Sequence, residues 1–204
     1  MDQSALATVG EVFARRARPA CGLARDADAV ARACHAMATR FHDGGRLIVF
    51  GDGEAATDAQ HIAVEFVHPV IVGKRALPSF SLTGDVATIT GVAAESGFDE
   101  VFAHQIRHLA VPQDMALGVS PHGECRNVLR ALETAKAMGL LTLALTGGDG
   151  GAIARSPSVD HALVVRSGDP RVIKEVHVTT YHILWELVHV FFEQPGVLGP
   201  RVVA

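Results

Sequence analysis

A chain of 204 residues, 49% hydrophobic but only 5% aromatic, is long enough for one α/β domain with an aliphatic core. A formal net charge of -4 with no basic run argues against direct nucleic-acid binding. Cys21, Cys34 and Cys125 form no CxxC pair, which removes a zinc-finger pattern and suits a reducing compartment.

The opening MDQSALATVG has no basic segment backed by an apolar one, and no apolar run reaches membrane-spanning length, so a soluble cytoplasmic protein is expected. Residues 2–17 read as a helix, with Leu6, Val9, Val12 and Phe13 at helical spacing and Arg18-Pro19 as its stop. Residues 26–42 read as a second helix, ended by Gly44-Gly45. These two helices precede any strand, and could cover a sheet or pack on a partner subunit.

The run 46–50 reads as a buried parallel strand. Gly51-Asp-Gly53 breaks it, and Thr57 or Asp58 is placed to cap a helix running to about 67. On that helix His61 and Glu65 lie four residues apart and share a face. The same spacing is common in plain surface pairs. A loop over 70–78 carries Lys74 and Arg75. Ser79 to Leu82 is a short strand, Asp85 caps a helix over 86–92, 95–98 is a turn and 99–110 is helical.

Met115 to Val119 is a strand opening into Ser120-Pro-His-Gly-Glu-Cys125, with a helix over 124–138 ended by Gly139. Leu140 to Leu145 is a strand ending in Thr146-Gly-Gly-Asp-Gly-Gly151. A short helix, a strand over 161–165 and a long apolar helix over 170–193 follow. Alternation of strand and helix predicts a parallel sheet covered on both faces, with ligands at the carboxyl ends of its strands. Loops 51–57, 120–125 and 146–151 all fall there. No convincing dinucleotide fingerprint is present. The last helix is apolar on almost every side, which predicts a subunit interface. Lys174, Val178 and His182 form one stripe along it.

Four blocks together resemble the sugar isomerase (SIS) domain family, and within it the phosphoheptose isomerase group. They are Gly51-Asp-Gly…Asp58-Ala-Gln-His61…Glu65; Asp85-Val…Ser96-Gly-Phe98…Phe102; Thr146-Gly-Gly-Asp-Gly-Gly151; and Arg171…Glu175-Val-His177…His182-Ile-Leu184. The resemblance runs from about residue 3 to 193. It implies a three-layer, flavodoxin-like sandwich with a central parallel sheet plus N-terminal helices, assembled as a homotetramer. The expected organisation is a helical extension over 1–45 packing in the oligomer, an SIS domain over 46–194 and a tail over 195–204.

In the family's isomerases zinc is held by a His and a Glu on the helix after the first loop and by a Gln and a His on the last helix. The matching positions are His61, Glu65, Lys174 and His182, so Lys174 stands where a ligand is expected. An ammonium does not ligate a metal and repels a dication. Two readings follow. Three ligands and a water can still hold zinc; or Lys174 supplies the metal's charge and pairs with Glu65, which is the reading preferred from sequence. The resemblance makes Glu65 the base and His182 the acid of an ene-diol isomerisation.

The phosphate-holding loops depart further. Pro121 and Glu124 stand in a loop that is hydroxyl-rich in the family, Ala55 replaces a serine, Glu54 adds an anion, and Pro69 replaces an arginine. Charge-assisted bonds contribute roughly 1.5–3 kcal/mol each, so phosphosugar affinity should fall unless His122, Lys74 or Arg75 compensates. The expected ligand contacts are Asp52, Gly53, Ala55, Asp85, Ser120, His122, Cys125 and Lys174. From sequence the favoured function is binding or scaffolding of a sugar or sugar phosphate in an altered pocket. The alternative is an active sedoheptulose 7-phosphate isomerase. A non-catalytic sibling in the group binds a protein, so a protein partner is a further expectation.

Overall fold

The computed structural model describes residues 3–69, 71–194 and 196–198. Most of the expected tail over 195–204 lies outside them. Helices α1 (Gln3–Arg25) and α2 (Ala27–His42) lead into β1 (Leu47–Phe50), α3 (Ala55–Val67) and β2 (Ser79–Ser81). Then come α4 (Val86–Ser96), a 3-10 turn (Phe98–Glu100), α5 (Val101–Leu109), β3 (Met115–Ser120) and α6 (Arg126–Ala137). β4 (Leu141–Gly147), α7 (Gly151–Arg155), β5 (His161–Val165) and α8 (Pro170–Glu193) complete the chain.

The sheet is parallel throughout, in the order β2-β1-β3-β4-β5. Successive strand residues point to opposite faces, so Leu47 and Val49 join one core with α2, α3 and α8, while Ile48 and Phe50 join a second with α4, α5 and α6. The sandwich therefore has three layers, as expected. At Gly118 β3 comes close to α6: a Cβ there would stand 2.6 Å from Val128 Cγ1. No helix among the described residues is long and apolar enough to cross a membrane.

Two expectations change. The first helix does not stop at Arg18-Pro19; α1 continues to Arg25 with Pro19 inside it. An interior proline costs about 3 kcal/mol through its missing N–H and its ring. Past it, Ala20 and Leu23 pack onto the core that includes α8, which offsets that cost. The second change concerns α8. Its apolar sides are largely consumed within the chain, by β4 and β5 on one side and by α1 and α2 on the other. Burial of α8 therefore requires no second subunit. Its outward stripe is Arg171, Glu175, Thr179, His182, Ile183 and Glu186.

α2 is part of the same packing. Phe41 stacks on Phe66 of α3 at 5.6 Å between ring centroids, and Cys34 is buried, which pushes its thiol up to about 12.

Candidate active site

β1 ends at Gly51, where a Cβ would stand 2.8 Å from Val119 O, so only glycine lets the loop cross the end of β3. The expected caps Thr57 and Asp58 do not cap α3. Its first turn closes on backbone carbonyls instead: Ala55, Ala56 and Thr57 donate to Asp52 O, Gly53 O and Glu54 O. The Thr57 hydroxyl also donates to Glu54 O at 2.7 Å. The tight turn leaves the carboxylate of Asp58 free for another partner. α8 starts with Pro170 behind Asp169, whose carboxylate accepts from Arg171 N, and runs beside α3 in the same direction.

That parallel alignment decides which side chains meet. Near the helix starts, Lys174 Nζ donates to Asp58 Oδ2 at 2.9 Å, to Glu54 O at 3.1 Å and to Thr57 Oγ1 at 3.2 Å. Two turns on, Glu65 Oε1 lies 3.1 Å from His61 Nε2 and 3.7 Å from His182 Nε2. The expected Lys174–Glu65 pair is therefore not formed. Seven residues separate Asp58 from Glu65, about 10 Å along a helix, and Lys174 is level with the nearer acid. Asp58 is 7% exposed and Glu65 11%, so each buried carboxylate has a basic partner.

The hydroxyl of Tyr181 meets His61 Nδ1 at 2.7 Å. Burial, with Asp58 and Glu65 nearby, pushes this phenol well above its ordinary range, so it stays protonated. Sequence reasoning passed over Tyr181. It is the chain's single tyrosine, and a buried tyrosine needs a partner for its hydroxyl, which was the available signal. His177, one of the family-like positions, is buried against Thr146 O at 3.0 Å, and burial lowers it toward the neutral form. It ties α8 to the end of β4.

His61, Glu65 and His182 bring three donor atoms within 4.8 Å of one another. Two imidazole nitrogens and a carboxylate oxygen are the donor set of a borderline divalent ion such as zinc. Both histidines keep more than two fifths of their side-chain surface exposed, so an ion or a sugar can reach them. A cavity of about 290 Å³ opens beside them, lined by Glu65, Ile71, His182, Trp185 and Glu186.

The chain leaves β1 for β2 in one direction and β3 for β4 in the other, so the loops after β1 and β3 part to form a crevice. Asn127 Nδ2 donates to Asp52 Oδ2 across it at 3.2 Å. Cys125 N donates to the buried Ser120 Oγ at 3.4 Å, and burial, with Asp52 and Glu124 close, raises the Cys125 thiol. A smaller hollow of about 160 Å³ is lined by Gly51, Asp52, Gly53, Ala56, Thr83 and Phe98. Asn127 and Thr83 were not singled out from sequence. Both lack a motif and are brought here only by the fold.

Other expected contacts are occupied elsewhere. Ala55 is fully buried and presents no group to a ligand. The Asp85 carboxylate caps α4 by accepting from Thr88 N and Thr88 Oγ1, bonds that hold it below the usual range. His122 is exposed on its loop. Glu124, expected at the start of α6 and facing phosphate, lies before that helix. Its Oε1 instead accepts from Ala152 N of α7 at 3.0 Å, with Arg155 at 3.5 Å.

The glycines of 146–151 also have a packing role. Gly123 has φ +68, and a Cβ on it would stand 2.0 Å from Gly150 O. The two loops touch backbone to backbone, sealed by Ile153 N donating to Gly123 O at 3.0 Å.

The SIS domain family matches residues 18–147. The phosphoheptose isomerase of Solidesulfovibrio magneticus is 40% identical over 193 residues, covering 94% of this chain and 92% of its own. That of Chlorobaculum parvum is 41% identical over 167 residues, covering 80% and 79%. Among solved structures, a phosphoheptose isomerase from Francisella tularensis superposes with a TM-score of 0.83 at 31% identity, covering 91% of this chain and 98% of that one. The enzyme from Neisseria gonorrhoeae gives 0.81 at 28% identity, covering 90% and 97%. With its sheet order, its paired strand-end loops and these likenesses in accord, the chain belongs to the SIS-domain family and to its phosphoheptose isomerase group.

Proposed function

We propose that the protein is an aldose/ketose isomerase acting on a phosphorylated heptose of the sedoheptulose 7-phosphate type. The observation that carries this reading is Glu65, a largely buried carboxylate whose Oε1 faces two imidazoles at 3.1 and 3.7 Å beside an open cavity. The sequence-based preference for a binding or scaffold protein rested on Lys174, Ala55, Pro121 and Glu124. Two of these supports weaken, because Lys174 is bound to Asp58 and Glu124 to α7. Strong likeness to enzymes named phosphoheptose isomerase favours the catalytic reading.

In this reading Glu65 Oε2 takes a proton from C1 of the ketose while the His182 imidazolium protonates the oxygen on C2. The product is an ene-diol. Glu65 then returns its proton to C2, His182 takes the proton from the oxygen on C1, and the aldose is released with both residues in their starting states. Because an imidazolium has no free lone pair, His61, Glu65 and the neutral form of His182 would hold a zinc ion, which when bound would supply charge stabilisation to the carbonyl oxygen in place of the His182 proton. Asp52, Gly53, Ser120 and Cys125 line the strand-end crevice and are assigned to the rest of the sugar phosphate.

We take the assembly to be a homotetramer in the cytoplasm. Val9 and Phe13 on α1 and Ile183 on α8, exposed in the single chain, support an interface there. The test is a coupled assay with sedoheptulose 7-phosphate, with and without added zinc. Glu65→Gln should lower kcat by about 10³-fold, within the usual range for general acid–base catalysis. Wild-type protein that binds the sugar phosphate without turning it over would overturn the catalytic reading.

A further inference from the structure

Tyr181 is buried in the α3/α8 seam, yet its hydroxyl reaches the ring nitrogen of His61 that faces away from Glu65. The two contacts hold the imidazole from opposite ends: 2.7 Å at Nδ1 and 3.1 Å at Nε2. The phenol ring also stands edge-on to His61, with centroids 5.2 Å apart and planes at 75°. A neutral imidazole carries one N–H and one lone pair, and which nitrogen carries the proton follows from what the other is bonded to. With no metal, Nε2–H donates to Glu65, so Nδ1 must accept and the Tyr181 hydroxyl must donate. With a cation on Nε2 the proton sits on Nδ1, so the Tyr181 oxygen must accept. A hydroxyl can do both by rotating about its C–O bond. A carboxylate or carbonyl in its place could only accept.

We propose that Tyr181 is a positioning residue that keeps the His61 ring in one orientation through both proton arrangements, so that the His61–Glu65–His182 cluster stays assembled with or without an ion. This rests on the catalytic reading above for its use, though not for its geometry. Partners bonded to the far nitrogen of a metal-binding histidine typically change metal affinity by about 10–100-fold when removed. Tyr181→Phe deletes one oxygen and keeps the ring that fills the core, so it separates the bond from the packing.

Two readouts test this. In metal-free protein, nitrogen-detected NMR of the imidazoles should show His61 wholly in the Nε2–H form in the wild type and in a mixture of both tautomers in Tyr181→Phe. Titration with Co²⁺ should show about 10–100-fold weaker binding in Tyr181→Phe, and no further weakening when the substitution is added to His61→Ala. An unchanged His61 tautomer with unchanged Co²⁺ affinity overturns the proposal. So does an equal loss of affinity in the His61→Ala background, because Tyr181 would then act through something other than His61. If the tautomer responds to Tyr181→Phe but even the wild type takes up no Co²⁺, the positioning role stands and the metal part of the catalytic reading falls.

Discussion

Two seams of this molecule are both polar and both family-like in sequence, yet they differ in what their polar groups have left to offer. In the α3/α8 seam, His61, Glu65 and His182 point at one another with donor atoms unspent on backbone. In the seam between 120–125 and 146–155, several carbonyls, amides and carboxylates are used up, although the buried Thr146 Oγ1 has no partner among the described residues. Gly123 and Gly150 pack backbone on backbone, Ile153 N takes Gly123 O, and Glu124 takes Ala152 N. A family-like position thus makes a residue available for ligand only when helix capping or loop packing does not claim it first.

The largest effect that would sharpen this contrast is the loss of turnover in Glu65→Gln with the fold retained, read by the coupled assay beside circular dichroism. The next belongs to the loop seam. Gly123→Ala forces a Cβ into Gly150 O at φ +68 and should cost at least about 2 kcal/mol, seen as a fall of roughly 4–8 °C in Tm. A variant as stable as wild type would show that the loops do not touch as described.

A smaller change is expected from the Lys174–Asp58 pair. Lys174→Met leaves a carboxylate that is 7% exposed without its cation, while Lys174 itself is about one third exposed. We expect a loss of about 1–2 kcal/mol, below the figure for a fully buried pair, largely restored when Asp58→Asn is added. Additive losses in that double-mutant cycle, measured by urea unfolding, would remove the pair from the account. The smallest effect is at Glu124. Because its carboxylate faces α7 and Arg155, Glu124→Gln should shift KM for the sugar phosphate by less than about twofold and stability by less than about 0.5 kcal/mol. A large drop in KM would show that this acid faces the substrate after all, and the contrast between the seams would fail.

Much of the architecture was legible from local pattern. The bounds of α8 were read as 170–193 and are Pro170–Glu193; β5 was read as 161–165 and is His161–Val165. The capping role of Asp85 was read from its place ahead of a helix, and holds. The common face of His61 and Glu65 follows from a four-residue spacing, and needs no partner element to be true. Errors lay where a long-range partner changed a local rule. Pro19 did not end α1, because Ala20 and Leu23 beyond it found a core to bury against. Thr57 and Asp58 did not cap α3, because backbone carbonyls closed its first turn.

Sequence alone determined which residues lie on helices, which lie on strands and which face of each is apolar, because those properties repeat every few residues and are set by neighbours in the chain. Only the tertiary structure decided that Lys174 takes Asp58 and not Glu65, that Tyr181 reaches His61, and that Glu124 turns to α7. Each of those choices depends on how far one helix slides along another, or how closely two loops approach. A slide of two helical turns exchanges one carboxylate for the next, and no periodicity within either helix records it.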